Sequence, residues 1–516
     1  MLKNAILAMI LISAAPAFVH ADAILTRSGG QLGGSLTLDL DADSGESFVL
    51  FTSITTGPTP LSVFDPNDAR SLSVGLELLN IAIFASVNGA GLGSISFSPL
   101  PTLASLQGVP IHHQFVTYPG ANLVIDEVSN AVSYKLSLPG ESTFTIGDLA
   151  EARYGHTSTE LSDGRVLIAG GIGVDGLGSD VVLDTVELFD PQTQSFTSLT
   201  GPNATLSSPR TYHTATRLND GRVLISGGVD GNDTALASCD IFNPATGIMT
   251  LAASMATPRF GHPAVLLNNG RVFASGGVSA LDLANPLNMV NNVLASTETY
   301  NSNTNTWSSG PNFPTPRIGH KGTLLNNGQV LITGGVEITG LFVPTPGLTN
   351  DCQRYNPTNN TFVGTSNFAG ARADHAQVLL DNGDVLVAGG VSGLDLIQMT
   401  STSASTCRRY NPSNNSWTNV ASMAFARNGA RLVNTGGSVA IIGGASAATQ
   451  AGSTLVTAIE TSAQGSISWA SPSAMLLPRG VSNSVAIEGG ERILTVGRGD
   501  NGNPAVADKT AELFHP

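Results

Sequence analysis

The chain is poor in cysteine, in charge and in aromatic residues. Of its 516 residues three are cysteines, 12% are charged and 6% are aromatic. Cys239, Cys352 and Cys407 are too few, and odd in number, to form a disulfide framework, and all three are expected to be free and buried. Lys and Arg number 23 against 38 Asp and Glu, a formal net charge of -15. That balance disfavours nucleic acid and anionic membrane as partners. No apolar run reaches the roughly 20 residues of a membrane helix. The nearest, Ala5 to Ile12, is interrupted between Ser13 and Pro16. With Lys3 before it and Val19-His20-Ala21 after it, it reads as a cleaved secretory signal over residues 1–21. A secreted, periplasmic or extracellular protein without membrane insertion is expected.

What the chain has instead is glycine, 58 of them, among many Ser, Thr, Asn and Val residues. Such a composition favours short strands and tight turns over long helices. From residue 151 one phrase recurs seven times: an Arg, a strand, an Asn/Asp-Gly turn, a strand closing on Gly-Gly, a gap, and a strand running into Asn/Asp-Pro. ARYGHTSTELSDGRVLIAGG, PRTYHTATRLNDGRVLISGG and PRFGHPAVLLNNGRVFASGG are three copies, and the last two copies are worn. The second glycines, from Gly171 to Gly444, lie 49 to 58 residues apart, the length of one four-stranded propeller blade. The Asn/Asp-Gly pairs are expected to be two-residue hairpin turns with positive backbone angles. The glycine pairs would pass where a side chain meets the next blade. Trp307, Trp417 and Trp469 share one position, the fourth strand, and so read as blade-to-blade packing rather than a binding platform.

These residues resemble the kelch family over about 370 residues, which implies a β-propeller. The expected fold is all-β: a seven-bladed kelch-type β-propeller over residues 140–516, preceded by a small β-sandwich domain over residues 22–139. The seventh copy stops at its third strand in TAELFHP, while STFTI at 142–146 is a fourth strand without a blade. Pairing the two would close the ring and remove both exposed edges.

Three sets of residues invite functional readings. Arg153, Arg210, Arg259, Arg317, Arg372, Arg427 and Arg479 occur once per blade. They would form a cationic collar that attracts carboxylate or sulfate, or each is pinned by a carboxylate or carbonyl of its own repeat. His156, His213, His262, His320 and His375 repeat as well. Blades about 10 Å apart suit a repeated structural hydrogen bond better than one metal. Long inserts follow Gly-Gly, notably VEITGLFVPTPGLTN, in which Leu341 and Phe342 form an exposed-looking apolar cluster. Inserts at one blade position would stack on one rim as a recognition surface.

The kelch resemblance also raises the copper-radical chemistry of galactose oxidase, but the tyrosines fall at packing positions and no metal or other cofactor is expected. DLDADSGE only faintly resembles a calcium loop and reads as a solvated turn. Arg498-Gly499-Asp500 spells an adhesion tripeptide within a worn repeat. The leading expectation is a non-catalytic propeller that binds a protein or a glycan. The alternatives are an epimerase-like kelch enzyme acting on a carboxylated sugar, and a structural envelope or matrix component.

Overall fold

The computed structural model describes residues 142–497 and 509–516, apart from 177–178, 282–285, 341–344, 396–399, 450–451 and 478–482, and separate segments between residues 23 and 140. The leader and the Arg498-Gly499-Asp500 tripeptide lie outside the described residues. The chain divides into two compact units, residues 1–147 with 190–195 and His515, and residues 148–189, 196–514 and Pro516.

In the first unit, Ile24–Gly29, Leu36–Asp41 and Leu92–Phe97 form a three-stranded antiparallel sheet. Ile83–Ser86, Ser47–Ser53, Pro110–Tyr118 and Val132–Lys135 form a four-stranded one. Leu25, Leu38 and Leu40 of the one meet Phe48, Leu50, Phe115 and Tyr134 of the other in a single core, which makes the pair a sandwich. Asp39 and Asp41 lie in a strand, paired with Thr26 and Ile24, and not in the turn expected for DLDADSGE.

The repeats form seven antiparallel four-stranded sheets. Blade 1 comprises Thr157–Glu160, Val166–Ala169, Val186–Asp190 and Ser195–Ser198. Blade 5 comprises Ala376–Leu379, Val385–Ala388, Cys407–Asn411 and Ser416–Val420. In blade 7, Asn483–Ile487, Arg492–Val496 and Ala511–Phe514 are joined by Ser142–Phe144 as the fourth strand. First strands lie against one another in blade order, and that of blade 7 lies against that of blade 1.

The Asp-Gly turns differ from expectation. Gly164 donates to the carbonyl of Leu161, Leu161 donates to that of Arg165, and only Gly164 has a positive φ, 84°. This is a three-residue loop, a type I turn followed by a left-handed glycine. Asp163 keeps an ordinary backbone because its carboxylate accepts from Arg165 N, at 3.1 Å, and from the Arg165 guanidinium.

The tryptophans tie blade to blade. Trp307, Trp417 and Trp469 donate from Nε1 to the carbonyls of Ala253, Ser366 and Ala421 in the preceding blade, at 2.9, 2.7 and 3.0 Å. Trp469 precedes its strand rather than lying in it, because the fourth strand of blade 6 is only Ser473–Ala474. All three cysteines are buried and free, and burial pushes the Cys239 and Cys352 thiols up to about 12.

The inserts after Gly-Gly are less loop-like than the sequence suggests. Val336–Thr339 pairs with Thr345–Leu348. Val391–Asp395 pairs with Thr400–Ser403, which continues into Ala445–Thr449 and Gly452–Leu455 of the next blade's insert, giving one joint four-stranded sheet. Bridges from Ala373 to Val391 and from Asn428 to Ala445 place these hairpins at the blade ends where each repeat's Arg lies.

The glycine pairs are tested by substitution. A Cβ on Gly276 would stand 2.6 Å from the Arg317 carbonyl and 2.7 Å from the His320 ring, whereas one on Gly247 meets nothing within 4 Å. Gly276→Ala is expected to cost about 3 kcal/mol or more, and Gly247→Ala about 1 kcal/mol from its positive φ alone. Urea unfolding measures both.

Candidate functional site

Each described repeat arginine lies just ahead of a first strand. In blade 3, Arg259 Nη1 donates to the carbonyls of Gly276 and Ser296 at 2.9 and 3.1 Å. Its Nη2 meets Glu298 Oε1 at 2.8 Å. Glu298 also accepts from the amides of Ala256 and Thr257, so one carboxylate fastens both the arginine and the turn before it. Blades 1, 2 and 6 repeat the pair as Arg153–Glu187, Arg210–Asp240 and Arg427–Glu460, at 2.6, 2.9 and 2.7 Å. The backbone carbonyls of Arg210, Arg259, Arg317, Arg372 and Arg427 accept from the second glycine of the preceding blade, as Gly171 N to Arg210 O at 2.8 Å and Gly390 N to Arg427 O at 2.8 Å.

This placement corrects the collar. All six described arginines are at most 2% exposed, and Arg479 lies outside the described residues. Guanidiniums enclosed in this way and bonded to carbonyls and carboxylates of their own repeat do not form an open cationic ring on a channel wall. Arg317 reaches Glu337 and Asp351 instead, and Arg372 alone among the six has no carboxylate partner.

The histidines bridge blades. Nε2 of His213, His262, His320 and His375 bonds the hydroxyl of Thr157, Thr214, Ser275 and Thr333 in the preceding blade, at 3.0, 3.3, 3.2 and 2.7 Å. Burial pushes the His213 and His375 pKa down to about 3. Among the described residues no group of three or more His, Cys, Asp or Glu side chains is placed to hold a metal ion.

The residue two beyond each arginine forms an inner belt. Tyr212 N donates to Gly155 O and Gly261 N to Tyr212 O, while Asp374 N donates to Gly319 O and Gly429 N to Asp374 O. In the six blades where it is described this position has a positive φ, and it is glycine in four of them, but Tyr212 and Asp374 hold φ of 53° and 48°. Left-handed backbone at a non-glycine residue is strained, and such strain is concentrated where side chains are used. Tyr212 is 45% exposed. Asp374 pairs with Lys321 Nζ at 2.8 Å, and the ammonium holds its carboxyl below the usual carboxylate range, helped by Arg431. Desolvation, then the carboxylates of Asp180 and Asp374, raises the Tyr212 phenol. Tyr154 donates from its hydroxyl to Asp180 at 3.0 Å. The belt therefore offers a phenol, carboxylates and cations on one inner rim.

The kelch motif matches residues 374–424, which cover most of blade 5. Kelch-like protein 15 from Mus musculus and from Homo sapiens is 29% identical over 157 residues, 29% of this chain and 26% of the relative. A solved fungal alcohol oxidase of the AA5 family, in complex with copper, superposes with a TM-score of 0.55 at 15% identity, covering 71% of this chain and 75% of that one. The chain folds as a β-propeller that carries a kelch motif in blade 5. It spans about a quarter of the length of the curated relatives it matches. The likeness to the oxidase is one of fold. In this propeller Tyr300, Tyr355 and Tyr410 are buried in third strands and donate from their hydroxyls to Asn305, Asn360 and Asn415, as packing residues do.

Leu341 and Phe342 lie outside the described residues, between the two strands of the blade 4 hairpin. The belt residues Tyr212 and Asp374 escaped the sequence reading. Their signal was present: PRTYH and ARADH carry Tyr and Asp where PRFGH and PRIGH carry Gly.

Two outcomes are expected. The unfolded chain binds protons at histidine below about pH 6.5, while the folded one keeps His213 and His375 neutral down to about 3, so stability falls as pH drops through that window. Urea unfolding between pH 7 and 4 should show this, with a shallower slope in His375→Gln. Glu298→Gln should cost about 3–5 kcal/mol by leaving a buried guanidinium without its counter-charge, read in the same assay at pH 7.

Proposed function

We propose that this propeller is an exported interaction protein that recognises a partner protein through the face bearing its paired hairpins. The observation that carries this reading is the joint sheet of Val391–Asp395, Thr400–Ser403, Ala445–Thr449 and Gly452–Leu455, raised beside the inner belt. Inserts that pair with each other across two blades form a shaped surface beyond what the blades need for their own cores. Tyr212 adds an exposed aromatic residue, a type enriched at binding hot spots. A glycan is the other ligand class this rim suits, through Tyr212 and the Asp374–Lys321 pair. The reading of a sugar-acid enzyme loses the arginine collar on which it rested, since those guanidiniums are enclosed.

The test is a comparison of variants. Replacing residues 340–344 by a short Asn-Gly turn, and separately Tyr212→Gly, should leave the melting temperature within about 2 °C of the parent. Each should reduce by tenfold or more the affinity for a partner identified by crosslinking from Tyr212. Tyr212→Gly also removes backbone strain of about 1 kcal/mol, so stability should hold or rise while binding falls. Undiminished binding in both variants would remove this reading.

A further inference from the structure

Register alignment gives every blade an equivalent third-strand position, the residue paired with the one two before the first glycine of Gly-Gly. It is Glu187 opposite Ile168, Asp240 opposite Ile225, Glu298 opposite Ala274, Glu460 opposite Ile441 and Glu512 opposite Thr495. Two blades depart. In blade 4 it is Gln353 opposite Ile332, but there Asp351 and Glu337 neutralise Arg317. Pro314 also replaces one of the two turn residues whose amides bind the carboxylate elsewhere.

In blade 5 the position is Arg408, opposite Val387. No described residue replaces the lost acid. Arg372 donates to the carbonyls of Gly370, Gly389 and Thr406 and to the Thr406 hydroxyl, and its guanidinium lies over the Phe368 ring at 5.3 Å. No described carboxylate forms a salt bridge with it. It is 2% exposed. Arg408 adds a second positive charge nearby; its Nη1 donates to Cys407 O at 2.9 Å, and its buried Nε has no acceptor among the described residues. The like charge of Arg408, after desolvation, depresses the Arg372 pKa to about 10. Ala369 and Gly370 correspond to Ala256 and Thr257 of blade 3 and to Ala424 and Phe425 of blade 6, whose amides bind the internal carboxylate. In blade 5 these two residues are exposed, and their amides have no acceptor among the described residues. The donors of a carboxylate site are present, and no carboxylate of the described residues occupies it.

We infer that blade 5 binds an external carboxylate, held by Arg372, Arg408 and the amides of Ala369 and Gly370, in the place that Glu298 fills in blade 3. Two guanidiniums with two convergent amides make a strong carboxylate site, and binding removes the cost of leaving buried like charges unneutralised. The carboxylate comes from a small free acid or from an acidic side chain of a partner. The inference stands on blade 5 alone and does not depend on which face binds a protein.

Thermal melting and calorimetric titration of the full chain with sodium acetate, against sodium chloride at equal ionic strength, test it. Acetate at about ten times its dissociation constant should raise the melting temperature by about 2 °C or more. Arg408→Glu should supply the missing acid internally: it should melt above the parent in chloride and lose the acetate response. Arg408→Met, which removes one cation without adding an acid, should weaken acetate binding by about tenfold. A blocked Gly-Glu-Gly peptide separates the sources. Tighter binding than acetate, with competition between them, marks an acidic partner side chain; acetate binding alone marks a small acid. Identical behaviour of the parent in acetate and chloride overturns the inference, as does an undiminished acetate response in Arg408→Glu or, should that variant not fold, in Arg408→Met.

Discussion

The buried arginine that opens each repeat is the interaction on which the rest of this structure depends. Its side chain fastens the second strand's glycine carbonyl and the start of the third strand within one blade, as Arg259 does with Gly276, Ser296 and Glu298. Its backbone carbonyl takes a hydrogen bond from the blade before, as Arg259 O does from Gly228 N at 2.9 Å. One residue thus joins intra-blade and inter-blade order. Enclosing a charge costs several kcal/mol unless it is met by an opposite charge and by hydrogen bonds, and this demand accounts for the acid at the third-strand position in blades 1, 2, 3 and 6. It also accounts for the glycines, because a Cβ on Gly170 would stand 2.5 Å from the Arg210 carbonyl.

Function is then sought where the repeat stops serving itself. Tyr212 and Asp374 occupy a left-handed position that glycine fills at lower cost. The inserts of blades 5 and 6 pair with each other and not with blade strands. Arg408 stands where an acid neutralises the arginine in other blades. Blade 5 contributes to all three departures, through Asp374, Val391–Asp395 and Arg408.

Much of this was legible in the sequence. The recurring Arg, Asn/Asp-Gly, Gly-Gly and bulky fourth-strand residue, worn in the last two of seven copies, set strand order and blade length, because each element has a local steric or hydrogen-bonding reason. The shared register of the tryptophans announced packing, and their indoles do bridge blades. The turn type was misjudged because Asp-Gly serves two-residue and three-residue loops alike, and the choice depends on the Asp163 carboxylate reaching Arg165. Tyr212 and Asp374 were overlooked because a substitution in one copy of a worn repeat looks like drift until its backbone angle is known.

By itself, the sequence determined an all-β repeat with an acid-rich balance and unpaired cysteines, since strand periodicity, turn residues and charge are properties of neighbours along the chain. The tertiary structure decided what the arginines are for. A regular row of guanidiniums is equally a collar or a set of internal fasteners, and the choice rests on acids 30 to 39 residues away, such as Asp240 for Arg210 and Glu298 for Arg259. Only folding brings those charges within 3 Å of each other, and only then does the blade that lacks its acid stand apart.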